Sequence, residues 1–206
     1  MNIPFMKPEK KAAVFIDKDG TLIPDIPYNV DADLITVDEA TGRGLQQIKQ
    51  LGYLLIVVSN QPGIALGYFE ETELGPVRDK IKSLLAPYRT EIDGFYYCPH
   101  HPQATRSPYA QRCACRKPQA GLILKAAHDF DIDLGRSWMI GDILHDVEAG
   151  KKAGCQTILV NNGNETEWQV SSLRIPDYVV RSVGEAAAVV KACAKKHQNH
   201  ERLERL

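Results

Sequence analysis

Long apolar runs are missing from this chain. Nothing in it approaches the ~18 consecutive apolar residues of a membrane span, and LLIVV at 54–58 is short enough to be a buried strand. Charge of one sign is missing as well: 25 Lys and Arg stand against 26 Asp and Glu, a formal net charge of −1. That balance gives no general reason to expect nucleic acid or an anionic membrane as partner. The N-terminal MNIPFMKPEKK carries lysines with no apolar segment after them. No secretory signal is therefore expected, and a cytoplasmic location with reduced thiols is. C-x-x-C pairs, a P-loop and a dinucleotide fingerprint are all absent, which leaves redox, kinase and dehydrogenase readings without an anchor. Internal repeats and low-complexity linkers are absent too.

What remains is an ordinary globular composition, 44% hydrophobic and 25% charged over 206 residues. This length suits one domain, 1–206, with a core over about 12–192 and a polar tail over about 195–206. Short apolar runs alternate with helical patterns. AAVFI (12–16), LLIVVS (54–59), FYYC, SWMIG, QTILV and DYVV read as strands. Between them, GRGLQQIKQLG, AGLILKAAHDF, LHDVEAGKKAG and GEAAAVVKACAKK read as helices, and the first stops at Gly52. Alternation of this kind, with strands apolar throughout, predicts an α/β three-layer sandwich around a mostly parallel sheet. The tail KKHQNHERLERL reads as a frayed helical extension.

Ligands of such folds bind beyond the carboxyl ends of the strands. The polar residues following each apolar run therefore share one rim: Asp17-Lys18-Asp19-Gly20-Thr21, Ser59-Asn60-Gln61 and Gly141-Asp142. Asp17 and Asp19 are two apart and can face the same way in an extended chain. Two carboxylates in one cleft repel unless a cation lies between them or one is protonated, and Asp142 can complete a hard oxygen site suited to Mg²⁺. A plain polar turn is the competing reading of DKDGT. Ser59 and the backbone around it can bind an anion, and Arg116 and Lys117 suit phosphate oxygens. Asp142 and Asp146 lie four apart at a helix start; Asp142 can equally be an N-cap, and Asp146 is expected to play a supporting role.

Three of the five cysteines crowd into YYCPHHPQATRSPYAQRCACRKP. Cys98-x-His100 and Cys113-x-Cys115 supply three thiolates and an imidazole, a set that favours tetrahedral Zn²⁺. Four protein ligands leave no open position, so this zinc is expected to be structural and to aim Arg116 and Lys117. His101 is the competing imidazole.

DKDGT, VVSNQ, CRKP and GDILHD, in that order, resemble the haloacid dehalogenase superfamily, with its Rossmann-like core. SNQPGIALGYF, YYCPHHPQ and CACRKP look most like its heptose 1,7-bisphosphate phosphatases, and next like its histidinol-phosphate phosphatases. The resemblance implies that Asp17 is the nucleophile and that Asp19 is the general acid and base. It implies Mg²⁺ on Asp17, the Asp19 carbonyl and Asp142, with Ser59 and Lys117 on the phosphoryl oxygens. Asn60, Gln61 and Arg116 would contact substrate, and the loop carrying Asp25 and Tyr28 would help to select it. Cys98, His100, Cys113 and Cys115 would hold the zinc, and the cap of larger relatives would be short or absent. The implied partner is a small phosphorylated sugar, acted on by a monomer or weak homo-oligomer with no nucleic acid or membrane involved. Ile143 and Leu66 depart from the heptose pattern, which commonly has lysine and arginine there, and VDEATG lacks its glycine-rich form.

Overall fold

The computed structural model describes residues 10–169 and 171–204. The segment read for a secretory signal thus lies mostly outside the described residues, as do the last two residues of the tail. Six strands are present: β1 (Ala13–Ile16), β2 (Leu54–Asn60), β3 (Gly94–Cys98), β4 (Trp138–Gly141), β5 (Gln156–Val160) and β6 (Tyr178–Val180). They form one sheet in the order β3-β2-β1-β4-β5-β6, and every neighbouring pair is parallel. The order reverses between β1 and β4. Their carboxyl ends therefore flank the crevice where open α/β sheets take ligands.

Alternation along the strands builds two cores. Val14, Ile16, Leu55 and Val57 face one side, and Ala13, Phe15, Ile56 and Val58 the other, all fully buried. The first face is covered by α1 (Glu39–Gln50), α3 (Leu74–Leu85) and α6 (Val183–Glu204); the second by α4 (Gly121–Phe130) and α5 (Leu144–Ala153). A strand apolar on both faces is what such double coverage requires.

Helix α1 starts three residues before the expected Gly42, because the Asp38 side chain accepts the Thr41 N–H at 2.8 Å and caps it. Two helices go beyond the sequence reading, the single turn α2 (Gly63–Leu66) and α3. The stripe of α3 is legible afterwards: Leu74, Val77, Ile81 and Leu85 are buried at helical spacing. Helix α5 begins at Leu144 with Ile143 as its N-cap, so Asp142 is not the cap. Much of the tail continues α6 as a helix, through Glu204. No second sheet and no helix long and apolar enough to cross a membrane occur among the described residues.

Candidate active site and metal-binding loop

Asp17 directly follows β1, and its N–H donates to the Ile140 carbonyl of β4 at 2.9 Å, which draws the two strand ends together. Its carboxylate is met by Lys117, whose Nζ donates to Asp17 Oδ1 at 2.5 Å and to the Val58 carbonyl at 3.0 Å. The same ammonium lies 2.6 Å from Asp146 Oδ1. That oxygen receives no aligned hydrogen bond, so the contact is Coulombic. Lys117 and Asp146 are both buried. Burial alone would lower Lys117, but Asp146 and Asp17 outweigh it and hold the ammonium above its ordinary range. Burial pushes Asp146 up, against the pull of Lys117.

Asp142 closes the acidic cluster from the end of β4. Thr21 Oγ1 donates to its Oδ1 and Asn164 Nδ2 to its Oδ2, both at 2.8 Å. Burial and the neighbouring Asp17 carboxylate raise it to about 6, despite those two donors. Each of Asp17, Asp142 and Asp146 offers an oxygen within 4.8 Å of the others, an arrangement able to hold a metal ion. Lys117 pairs with two of these three buried acids, Asp17 and Asp146, so a divalent cation fits the charge that is left over. Gly20, at φ +78°, supplies the turn beneath Asp142, where a Cβ would stand 2.1 Å from Asp142 Oδ2.

Asp19 faces a different set of partners. Lys18 Nζ donates to its Oδ1 at 2.6 Å, and Gln61 Nε2 to its Oδ2 at 2.9 Å. Gln61 Nε2 also donates to the buried Ser59 Oγ at 2.8 Å. Burial raises the Asp19 carboxyl, with Lys18 opposing and Asp17 adding to the rise.

Asn60 grips the Lys117 peptide from both sides, donating to its carbonyl and accepting its N–H, each at 3.0 Å. Its amide thus fixes the lysine backbone. Arg116 is half-buried and donates to the His100 carbonyl at 3.3 Å. Tyr28 adopts φ +57° and packs its exposed ring on Tyr68, centroids 4.5 Å apart. Asp25 is exposed on the same loop. Ile143 lines a cleft of about 190 Å³ with His145, Asn164 and Arg174.

The cysteine-rich segment closes on itself. The Cys98, Cys113 and Cys115 sulfurs are 3.1, 3.2 and 3.5 Å apart, and His100 Nδ1 lies 3.3 Å from Cys115 Sγ and 3.6 Å from Cys98 Sγ. Four donors at the corners of so compact a tetrahedron fit a small soft cation. His101 is turned elsewhere, its Nδ1 accepting the Gln103 N–H at 3.3 Å. The loop is also tied to α2 and the turn after it: Arg106 forks onto Glu70 at 2.7 Å, and Tyr109 donates to Glu71 at 3.1 Å.

The chain is similar in sequence and in fold to known proteins. The HAD-hyrolase-like family model matches residues 114–186. The D-glycero-beta-D-manno-heptose-1,7-bisphosphate 7-phosphatase of Pasteurella multocida is 38% identical over 183 residues, covering 88% of this chain and 97% of the relative. The enzyme of the same name from Haemophilus ducreyi is 43% identical over 155 residues, covering 74% and 85%. The chain belongs to the heptose 1,7-bisphosphate phosphatase family of haloacid dehalogenase-like hydrolases. Membership makes it a phosphoric monoester hydrolase. Among solved structures, the D,D-heptose 1.7-bisphosphate phosphatase from B. bronchiseptica, complexed with magnesium and phosphate, is similar with a TM-score of 0.74 and 28% identity, covering 90% of this chain and 99% of that one.

Within this family member, the crevice brings together Asp17, Asp19, Ser59, Gln61, Lys117 and Asp142 from distant parts of the sequence. Sequence reasoning left two contributors, Asn164 and Lys18, without a role. Asn164 arrives from the loop after β5 and carries no local signal. Asp146, expected in a supporting role, pairs with Lys117 at 2.6 Å inside the acidic cluster. Lys18 was placed on the rim without a task. The sign that could have found it is a lysine flanked on both sides by strand-end carboxylates.

Proposed function

We propose that the chain removes the 7-phosphate of D-glycero-D-manno-heptose 1,7-bisphosphate by way of an aspartyl-phosphate on Asp17. The observation that supports the chemistry most is the buried Lys117 at 2.5 Å from Asp17, in the crevice between β1 and β4. A carboxylate oxygen of Asp17 attacks the phosphorus as the bond from phosphorus to the sugar oxygen breaks. Asp19 gives its proton to the departing alkoxide. Water then attacks the phosphorus of the acyl phosphate, its proton returns to Asp19, and Asp17 and inorganic phosphate are released. Splitting the hydrolysis in this way replaces one hard step with two easier ones.

Asp17, the Asp19 carbonyl and Asp142 hold Mg²⁺ in this reading, with Asp146 beside them. The ion supplies charge neutralisation for the transferring phosphoryl group. Lys117 and Ser59 bind the phosphoryl oxygens, and Gln61 carries Ser59 and Asp19 on one amide. Arg116, with the loop of Asp25 and Tyr28, contacts the sugar, and Asn60 contributes by fixing the Lys117 backbone. Cys98, His100, Cys113 and Cys115 bind Zn²⁺ as a structural ion. The working unit is one cytoplasmic phosphatase domain spanning 1–206, a monomer or weak homo-oligomer acting on small molecules.

The deciding experiment measures phosphate release with Mg²⁺ from both anomers of the heptose bisphosphate and from histidinol phosphate. High kcat/KM on one heptose anomer is expected. Much faster turnover of histidinol phosphate would overturn the substrate. In parallel, Asp17→Asn is expected to abolish turnover with an unchanged circular-dichroism spectrum; substantial residual activity would refute the covalent step.

A further inference from the structure

Lys18 is a cation that the chemistry above leaves without a task. It is only 1% exposed, and among the described residues its ammonium meets one group, Asp19 Oδ1 at 2.6 Å. A buried ammonium is costly unless it is paired, so the pairing is firm. The backbone gives it no latitude either. The Lys18 carbonyl accepts the N–H groups of Leu22 and Ile23 at 3.1 and 3.0 Å, and Gly20 N–H donates to the Ile23 carbonyl at 2.9 Å.

The two oxygens of Asp19 are therefore held unequally. Oδ1 is held by a charged donor sealed in the protein; Oδ2 is held by the neutral amide of Gln61, which is shared with Ser59. Charge-assisted hydrogen bonds are about twice as strong as neutral ones. When a substrate oxygen enters, the Gln61 bond is the one that yields.

Building on the acid–base reading of Asp19, we propose that Lys18 is a positioning residue that locks Asp19 through Oδ1 and leaves Oδ2 as the oxygen that gives and takes the catalytic proton. Such a lock fixes the carboxylate plane without touching substrate, metal or phosphoryl group. Its loss weakens proton delivery and leaves binding alone.

Leaving-group dependence tests this directly. An alkoxide needs the proton to depart, whereas 4-nitrophenolate does not. Rapid-quench kinetics on Lys18→Met are expected to show phosphorylation by the sugar phosphate slowed about 30-fold or more, a share of the 10²–10⁴ typical of general acid catalysis. The burst of nitrophenolate from 4-nitrophenyl phosphate should stay within about threefold of the parent, followed by slow turnover because water attack still needs the base. KM and the Mg²⁺ half-saturation should hold within about twofold, and Lys18→Arg should restore most of the rate. Should Lys18→Met lose its fold, the same ratio read on Lys18→Gln decides. Equal losses with both leaving groups, or no loss with either, overturn the proposal. Asp19→Asn run alongside separates the two ideas. If it too lacks leaving-group dependence, the acid–base reading falls and takes this one with it. If it shows the dependence and the Lys18 variants do not, only the lock is wrong.

Discussion

At the scale of single residues, the site is governed by one buried ammonium. Lys117 stands between Asp17 and Asp146 and is also held by the Val58 carbonyl, so its charge is compensated within the protein before any substrate arrives. Removing one partner from such a cluster leaves uncompensated charge inside the protein, at a cost of roughly 3–5 kcal/mol. Lys117→Met is accordingly expected to lose about that much stability in urea titrations at pH 7.5, together with its activity. Burial already pushes Asp146 up, and without the lysine it would rise further. A raised carboxyl binds protons in the native state that the unfolded chain has released, so the variant should lose stability as pH rises. The defect should therefore shrink at pH 5.5. Adding Asp146→Asn should recover part of the stability and none of the catalysis. If the double variant is no more stable than the single one, the buried-charge account of Lys117 is wrong.

Among elements, two loops meet at the peptide of Lys117. The end of β2 reaches it through the twin hydrogen bonds of Asn60, and the cysteine cluster reaches it through the chain itself, since Cys115 is two residues away. These two supports should fail differently. Cys113→Ser is expected to lower zinc content and melting temperature together, because a structural metal is part of the folding free energy. Unchanged zinc content would remove Cys113 from the ligand set. Asn60→Ala should keep its zinc and lose roughly 10–100-fold in kcat/KM, the scale on which small misplacements of a catalytic group act. Loss of zinc in that variant would instead make Asn60 a support of the cluster. The same contrast says how far the site was legible in the sequence. Asp17, Asp142, Lys117 and the cluster of Cys98, His100, Cys113 and Cys115 stand out because such chemistry is wasteful at a strand end or in a plain loop. Asn164 does not, because an amide in a loop looks the same whether it grips a carboxylate or water; Asn60 was placed on the rim, but its grip on the Lys117 peptide carried no signal in the sequence. Helix α3 escaped notice for another reason: its apolar residues recur every three or four positions, but Gly75 and Pro76 in its first turn disguise the start.

For the molecule as a whole, the fold was legible because a parallel sheet covered on both sides leaves little choice of pattern, while the loops that complete the site answer only to tertiary contacts. The gathering of acids at the reversal of strand order makes stability depend on pH, and a cation bound there would couple the two. Asp142 is raised from 3.8 to about 6, chiefly by burial and then by Asp17. Between roughly pH 4 and 6 the metal-free native state thus holds a proton that the unfolded chain has lost, and stability falls as pH rises through that window. A shift of this size corresponds to about 3 kcal/mol, at about 1.4 kcal/mol per pH unit. Carboxyls held below their ordinary values, such as Glu148 and Asp177, contribute stability that is lost as pH falls, so they pull the other way. They are common to the metal-free and metal-bound protein and cancel in the difference. The gain in melting temperature on adding Mg²⁺ should therefore be small at pH 5, grow through pH 6 and level off by pH 7.5, because the ion binds the ionised cluster and offsets the repulsion. Asp142→Asn should be more stable than the parent in chelator at pH 7.5 and should respond little to Mg²⁺. A Mg²⁺ gain independent of pH, or an Asp142→Asn protein that still responds fully, would mean that the ion is held elsewhere.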